Sequence, residues 1–228
     1  MFTDENRKTL EEYLRTHHIP RGLGNKEGVC SLAAINLAID GVLTDDIPDC
    51  MSYILGEMTI KMQDYMPDHM RNSGRFKRLL LDMPCTGRTQ EKERLAIFVD
   101  WLYSTILPSI QHVADSHGFG DVWHTMCRDR STGGAGYSAI STTDAFVRAA
   151  VRSAVRATYA VNVVTARAVN THDNSITSTC SITFACSINT VIDAVCLVNG
   201  GSKEIWERID PVGALERATY LPSGELTS

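Results

Sequence analysis

The sequence predicts a mainly α-helical bundle completed by a helical hairpin rich in small residues, and three observations predict it. Apolar residues recur at helical spacing through most of the first 130 positions. Helix-starting and helix-stopping residues bracket those runs. From Ala145 to Val198 the composition turns to Ala, Val, Ser and Thr, with charge confined mainly to Arg148, Arg152, Arg156 and Arg167.

Taken in order, Thr3 can cap a first helix over 4–16, with Asp4 and Glu5 in its first turn and Leu10 and Leu14 on one face. His17, His18 and Pro20 end it. A second helix spans Cys30 to Asp40, with Leu32, Ile35, Leu37 and Ile39 among alanines; Asn36 in its middle is expected to be a buried, hydrogen-bonded amide, and Gly41 stops it. Thr44 and Asp45 are expected to cap a third helix, Pro48 lying in its first turn. Its apolar positions Ile47, Met51, Ile54, Leu55, Met58, Met62, Tyr65 and Met66 follow helical spacing up to Pro67, and the methionine stripe reads as core packing. Short helices around 68–73 and 75–82 follow. A long helix is then expected from Thr89 to about Ser116, kinked at Pro108 and ended by Gly118. A short helix carrying Val122, Trp123 and Met126 packs back.

Ser131–Gly136 is the best linker in the chain, so the expected organisation is a helical core over 1–130, a Gly/Ser/Thr-rich linker over 131–144, and a small-residue segment over 145–228. Arg148, Arg152 and Arg156 fall at i, i+4, i+8, an exposed stripe on a first hairpin helix. The 176–198 stretch is β-branched and partly alternating; two long helices are the preferred reading and strands over 176–198 the alternative. Trp206, Ile209 and Leu215 dock the end of the chain on the bundle, and the last six residues are expected to be mobile.

The composition narrows the function classes. With 228 residues, 43% hydrophobic and 21% charged, the chain is long enough to bury a real core. Its net charge of −5 disfavours non-specific binding to nucleic acid or to an anionic membrane. Seven scattered cysteines, with no secretory leader, point to reduced thiols and a cytoplasmic location. No C-x-x-C pair occurs and no apolar run approaches the roughly 20 residues that span a bilayer, so neither a metal, a cofactor nor a membrane is expected.

The chemistry concentrates between Ile19 and Ser31. Arg21, Gly22, Gly24, Asn25, Lys26 and Gly28 form a cationic glycine loop, with Cys30 and Ser31 at the mouth of the following helix. Gly28 is expected to supply positive φ, and exposed loop amides beside a helix N-terminus outline an anion site. A second basic cluster comprises Arg71, Arg75, Lys77, Arg78, Arg88 and Arg94, whose guanidinium forks match phosphate. Trp101, Tyr103 or Trp123 would stack on a base. Capture of an anionic, nucleotide-derived small molecule is therefore the leading reading, with Arg21, Gly22, Gly24, Asn25, Lys26, Gly28, Ser31, Arg71, Arg75 and Arg88 as its residues. The first alternative is a cysteine hydrolase, with Cys30 activated by the helix N-terminus and one of seven histidines as base. The second is a protein that binds and inhibits a host factor. A homo-oligomer built through the small-residue tail is also expected.

Several blocks resemble a family of small, uncharacterised proteins from phage, bacterial and metagenomic sequences: IPRGLG (19–24), EGVCSLAAINLA (27–38), LTDDIPDCMS (43–52), QDYMPD (63–68), RNS (71–73), TGR (86–88), LPSIQHVAD (107–115), WHTMC (123–127) and WERIDP (206–211). Members of that family often carry an alanine-rich helical tail, from which this chain departs with Val, Ile, Thr and Cys. The resemblance implies a phage setting, in which small soluble proteins often counter host immunity; with the cationic glycine loop at a helix mouth, that context makes a sponge for an immune signalling nucleotide the expectation.

Overall fold

The computed structural model describes residues 2–25, 28–131, 145–169, 178–200 and 203–221. Helices are numbered α1 to α12 in chain order over these residues. They are α1 Asp4–Thr16, α2 Ser31–Asp40, α3 Tyr53–Tyr65, α4 Asp68–Arg71, α5 Gly74–Asp82, α6 Glu91–Trp101, α7 Gln111–Ser116, α8 Gly120–Asp129, α9 Ala145–Val169, α10 Ser178–Val198, α11 Lys203–Ile209 and α12 Pro211–Thr219. The strands described are β1 Gly24–Asn25 and β2 Gly28–Val29, a short antiparallel pair with Gly24 opposite Val29. The fold is mainly α, and 178–198 is helix rather than strand.

The contacts divide the chain into two units. One is 1–95, 173–181 and 211–228; the other is 96–172 and 182–210. This differs from the division that composition predicts, because α6 and α10 each begin in one unit and continue in the other. The 132–144 stretch of the expected linker lies outside the described residues, as do 170–177 and the last seven.

In the first unit α1 starts as its sequence dictates. Thr3 Oγ1 accepts from Asn6 N and the Asn6 side chain accepts from Thr3 N, closing a capping box. Leu10 and Leu14 are buried against α2 and α5. Asn36 of α2 is buried as expected, its Nδ2 donating to Thr44 O (2.9 Å) and Asp46 O (2.8 Å). Those two bonds correct the start of the third helix. With Thr44 and Asp46 carbonyls taken, and Thr44 Oγ1 bonded to Asp46, the chain turns through Pro48–Cys50 and α3 begins only at Tyr53, capped by Ser52 Oγ. Met51, Met58, Met62 and Met66 are core residues, as the stripe implied.

Short helices expose many chain ends, and this unit caps their carboxyl ends with cations from other elements. Lys77 Nζ donates to Leu14 O (2.7 Å) and His17 O (2.9 Å) beyond α1. Arg71, 3% exposed, donates to Gln63 O and Met66 O at the end of α3 and to Ile19 O. Arg7 reaches Leu81 O at the end of α5. Arg94, 1% exposed, donates to Ala218 O in α12 and to Thr86 O and Gly87 O in the loop before α6. Beside it Glu91 is fully buried, its Oε2 accepting from Ile54 N (3.0 Å) at the mouth of α3; burial pushes its carboxyl up and pushes Arg94 down.

In the second unit the long helix expected over 89–116 is instead a composite. After α6 comes a π-helical turn, Leu102–Ile106, then a 3₁₀ turn, Leu107–Ile110, then α7. Pro108 has no N–H, so the ladder cannot continue through it, and the backbone changes pitch rather than simply bending. Two buried indoles reinforce the change: Trp101 Nε1 donates to Ile209 O (2.6 Å) and Trp123 Nε1 to Leu107 O (2.9 Å). Along α9, Arg152 and Arg156 are exposed and Arg148 half-buried. Cys180–Val198 of α10 is long and apolar enough to cross a membrane by length and composition, with mean hydropathy 1.7, and is 56% buried within the protein. Averaging over interspersed small polar residues accounts for this, where a search for unbroken apolar runs finds none.

One buried group in α10 lacks a partner. Asn189 is 5% exposed, and neither its Oδ1 nor its Nδ2 has a hydrogen bond. Such an amide costs about 1–3 kcal/mol. Asn189→Leu, which keeps the branched shape, is expected to raise urea-unfolding stability by about 1–2 kcal/mol. Arg94→Met is expected to lower it by about 3–5 kcal/mol, because the Glu91 carboxylate then stands buried without its cation.

Candidate functional site

Several described amides around the loop that sequence marks as an anion site are bonded within the protein. Gly22 N donates to Asp64 Oδ1 (2.7 Å), Val29 N to the Tyr13 hydroxyl (3.0 Å) and Cys30 N to Leu23 O (3.0 Å). At the mouth of α2, Ser31 N donates to Gln63 Oε1 (2.9 Å) and Ala33 N to Cys30 Sγ (3.4 Å). These amides are spent within the protein, and the group nearest Gly22 is a carboxylate, which opposes an incoming phosphate. The glycines serve close packing. A Cβ at Gly24 would meet the Gly28 carbonyl, and one at Gly28 would meet the His18 carbonyl. Gly22 and Gly24 hold positive φ (65° and 91°), whereas Gly28 does not, contrary to the sequence expectation. Arg21 is exposed, Asn25 takes part through its backbone pairing with Gly28, and Lys26 lies outside the described residues.

Cys30 and Ser31 are likewise interior. Cys30 is 2% exposed as the N-cap of α2, and burial pushes its thiol up, against the thiolate that a nucleophile requires. Among the described residues no histidine hydrogen-bonds to it. His17 stacks on Tyr13 at 4.1 Å and His18 pairs with Asp68 at 2.9 Å. Ser31 Oγ is buried with no partner. The helix N-terminus that the cysteine alternative relies on is present, but its field acts on a desolvated thiol.

The second basic cluster is divided by its partners. Arg71, Lys77 and Arg94 are the carbonyl caps described above, so Arg71 is corrected from ligand residue to structural one. Arg88 pairs with Asp49 (3.0 Å) and lies 3.7 Å from the centre of the Tyr53 ring. The three aromatics expected to stack on a base, Trp101, Tyr103 and Trp123, are each 1–2% exposed, and Tyr103 donates to Asn162, its hydroxyl pushed up to about 12 by burial. Among the described residues no group of three or more His, Cys, Asp or Glu side chains gathers for a metal.

Arg75 and Arg78 of the same cluster line a shallow cleft of about 310 Å³ between α5 and α12, with Gly74, Leu79, Glu216 and Tyr220. Arg75 grips Glu216 with two bonds, Nε to Oε1 (2.9 Å) and Nη2 to Oε2 (2.6 Å). Arg78 is exposed and has no hydrogen-bond or ion-pair partner among the described residues. Tyr220 is 54% exposed and donates to Asp82 (2.5 Å), with its hydroxyl pushed up to about 12 by burial and by the neighbouring carboxylates. Sequence named Arg75 and Arg78 as part of the cluster but missed Tyr220 and Glu216, which lie more than 130 positions away and carry no local signal. In native protein, iodoacetamide is expected to label Cys85 and Cys186, both exposed, well before Cys30; fast selective loss of the Cys30 thiol by peptide mapping would restore the nucleophile reading. No family model, curated protein or solved structure matches this chain.

Proposed function

We propose that this protein binds, without converting, a small phosphate-bearing molecule derived from a nucleotide, and that the cleft between α5 and α12 receives it. The observation that carries this is Arg78, an exposed guanidinium with no partner among the described residues, sharing a cleft with a second arginine and an exposed phenol ring. The Arg78 fork suits phosphate oxygens, Leu79 gives an apolar wall, and the Tyr220 ring offers a face for a base, with Arg75 held on Glu216 beside them. The binding reading is favoured over catalysis because the one nucleophile singled out, Cys30, is buried with its thiol held protonated. In the phage setting that the family resemblance implies, and the cytoplasmic location that the scattered cysteines suggest, such capture withdraws a host immune signal.

The test incubates the purified chain with a panel of cyclic di- and trinucleotides and ADP-ribose derivatives, then washes, denatures and reads the eluate by mass spectrometry. One compound is expected to be retained and released intact. Arg75→Ala with Arg78→Ala is expected to weaken its retention by at least about tenfold, the loss of one or two charge-assisted bonds. The melting temperature should hold, since the exposed Arg75–Glu216 pair contributes little to stability. Loss of retention in Arg21→Ala with Lys26→Ala, and not in the cleft variant, moves the site to the β1–β2 loop. Conversion of a compound overturns the binding reading, and retention of none leaves a protein partner as the better account.

A further inference from the structure

Cys50 and Cys85 are distant in sequence and lie on two loop segments held side by side in the first unit. Cys50 is in the turn before α3, and Cys85 ends the 3₁₀ turn Met83–Cys85 that follows α5. Four contacts set the register of the two segments. Gly87 N donates to Cys50 O (2.9 Å), Ser52 N donates to Thr86 Oγ1 (3.1 Å), Arg88 pairs with Asp49 (3.0 Å), and the same guanidinium lies over the Tyr53 ring. Both thiols are free, Cys85 exposed and Cys50 half-buried. A charge on Cys85 is among the influences that hold the Cys50 thiol up, after burial.

The other five cysteines lack this arrangement. Cys30 and Cys127 are buried, at 2% and 8% exposure. Cys180, Cys186 and Cys196 share α10, where offsets of six and ten residues separate successive cysteines by about 9 and about 15 Å along the axis. A rigid helix cannot bring them together, whereas Cys50 and Cys85 sit in loops. A disulfide needs Cα atoms within about 7 Å, and the backbone bond from Gly87 N to Cys50 O brings the chain two residues beyond Cys85 against Cys50.

We propose that Cys50 and Cys85 are an oxidation-sensitive dithiol that closes to a disulfide when a hydroperoxide is present. The exposed Cys85 thiolate attacks one peroxide oxygen; the O–O bond breaks, hydroxide leaves and is protonated to water, and Cys85 becomes a sulfenic acid. The Cys50 thiolate then attacks the Cys85 sulfur, the S–O bond breaks, and the second hydroxide leaves as water with the proton from Cys50. Two thiols and one hydrogen peroxide give one disulfide and two waters, the two electrons passing from the sulfurs to the peroxide. The cross-link encloses α3, α4 and α5 and ties the Pro84–Gly87 loop, which Arg94 already holds by two carbonyls, to the mouth of α3.

The full chain is treated with hydrogen peroxide, quenched with iodoacetamide and mapped by non-reducing peptide mass spectrometry. A Cys50–Cys85 linked peptide is expected, lost on adding dithiothreitol, together with a melting temperature several degrees above that of the reduced protein. In Cys50→Ser, Cys85 is expected to stop at the sulfenic acid and to be trapped by dimedone. Should that variant fail to fold, diamide treatment of the wild-type chain gives the same linkage without a sulfenic step. Oxidation of Cys85 in wild-type protein without the linked peptide, or a Cys85–Cys186 link between molecules in its place, overturns the proposal. So does a dithiol untouched by both reagents.

Discussion

The first unit depends on cations that satisfy the carboxyl ends of helices. Each helix leaves its last carbonyls without an internal partner, and a bundle of helices between four and thirteen residues long buries several such ends close together. Burial limits what water can supply there, and side chains take its place. Arg71, Lys77, Arg7 and Arg94 do this by bonding to carbonyls of other elements, and their positive charge also sits favourably at the negative end of the helix dipole. Arg94 joins three segments in this way, the 86–87 loop, α6 and α12, and its burial is tolerable because Glu91 lies beside it.

The same constraint explains why the arginines were a poor guide to a ligand site. A guanidinium presents a planar fork of donors, and a pair of backbone carbonyls accepts that fork as readily as a phosphate does. Sequence shows the fork and not the acceptor. Arg71 and Arg78 lie on neighbouring short helices with similar local context, yet one is 3% exposed on three carbonyls and the other faces solvent. The difference is set by the chain end of α3, which passes over Arg71 and not over Arg78.

A parallel argument applies to the Gly-rich loop. Glycine, cation and helix mouth together describe both a phosphate cradle and a tight hairpin whose backbones touch. Asp64 and Gln63, contributed by α3, decide between them by taking the Gly22 and Ser31 amides. Their carboxamide and carboxylate oxygens occupy the directions from which an anion would have to approach.

Local features were legible because local physics sets them. The Thr3 capping box, Asn36 as a buried amide, and the stops at Gly41 and Pro67 all follow from bonds and clashes within about ten residues. Helix starts failed where a distant or competing acceptor intervened: at α3 the carbonyls that Asn36 claims delay the helix to Tyr53, and after α6 the Ile209 carbonyl that Trp101 seeks joins Pro108 in changing the backbone pitch. The sequence by itself determined that the chain is mainly helical, and it marked several caps, stops and apolar faces, since these depend on periodicity and local bonds. Only the tertiary structure decided which cations are spent on carbonyls, that Cys30 is a buried thiol, and that Arg75, Arg78 and Tyr220 share a cleft, since each of these is a contact between residues far apart along the chain.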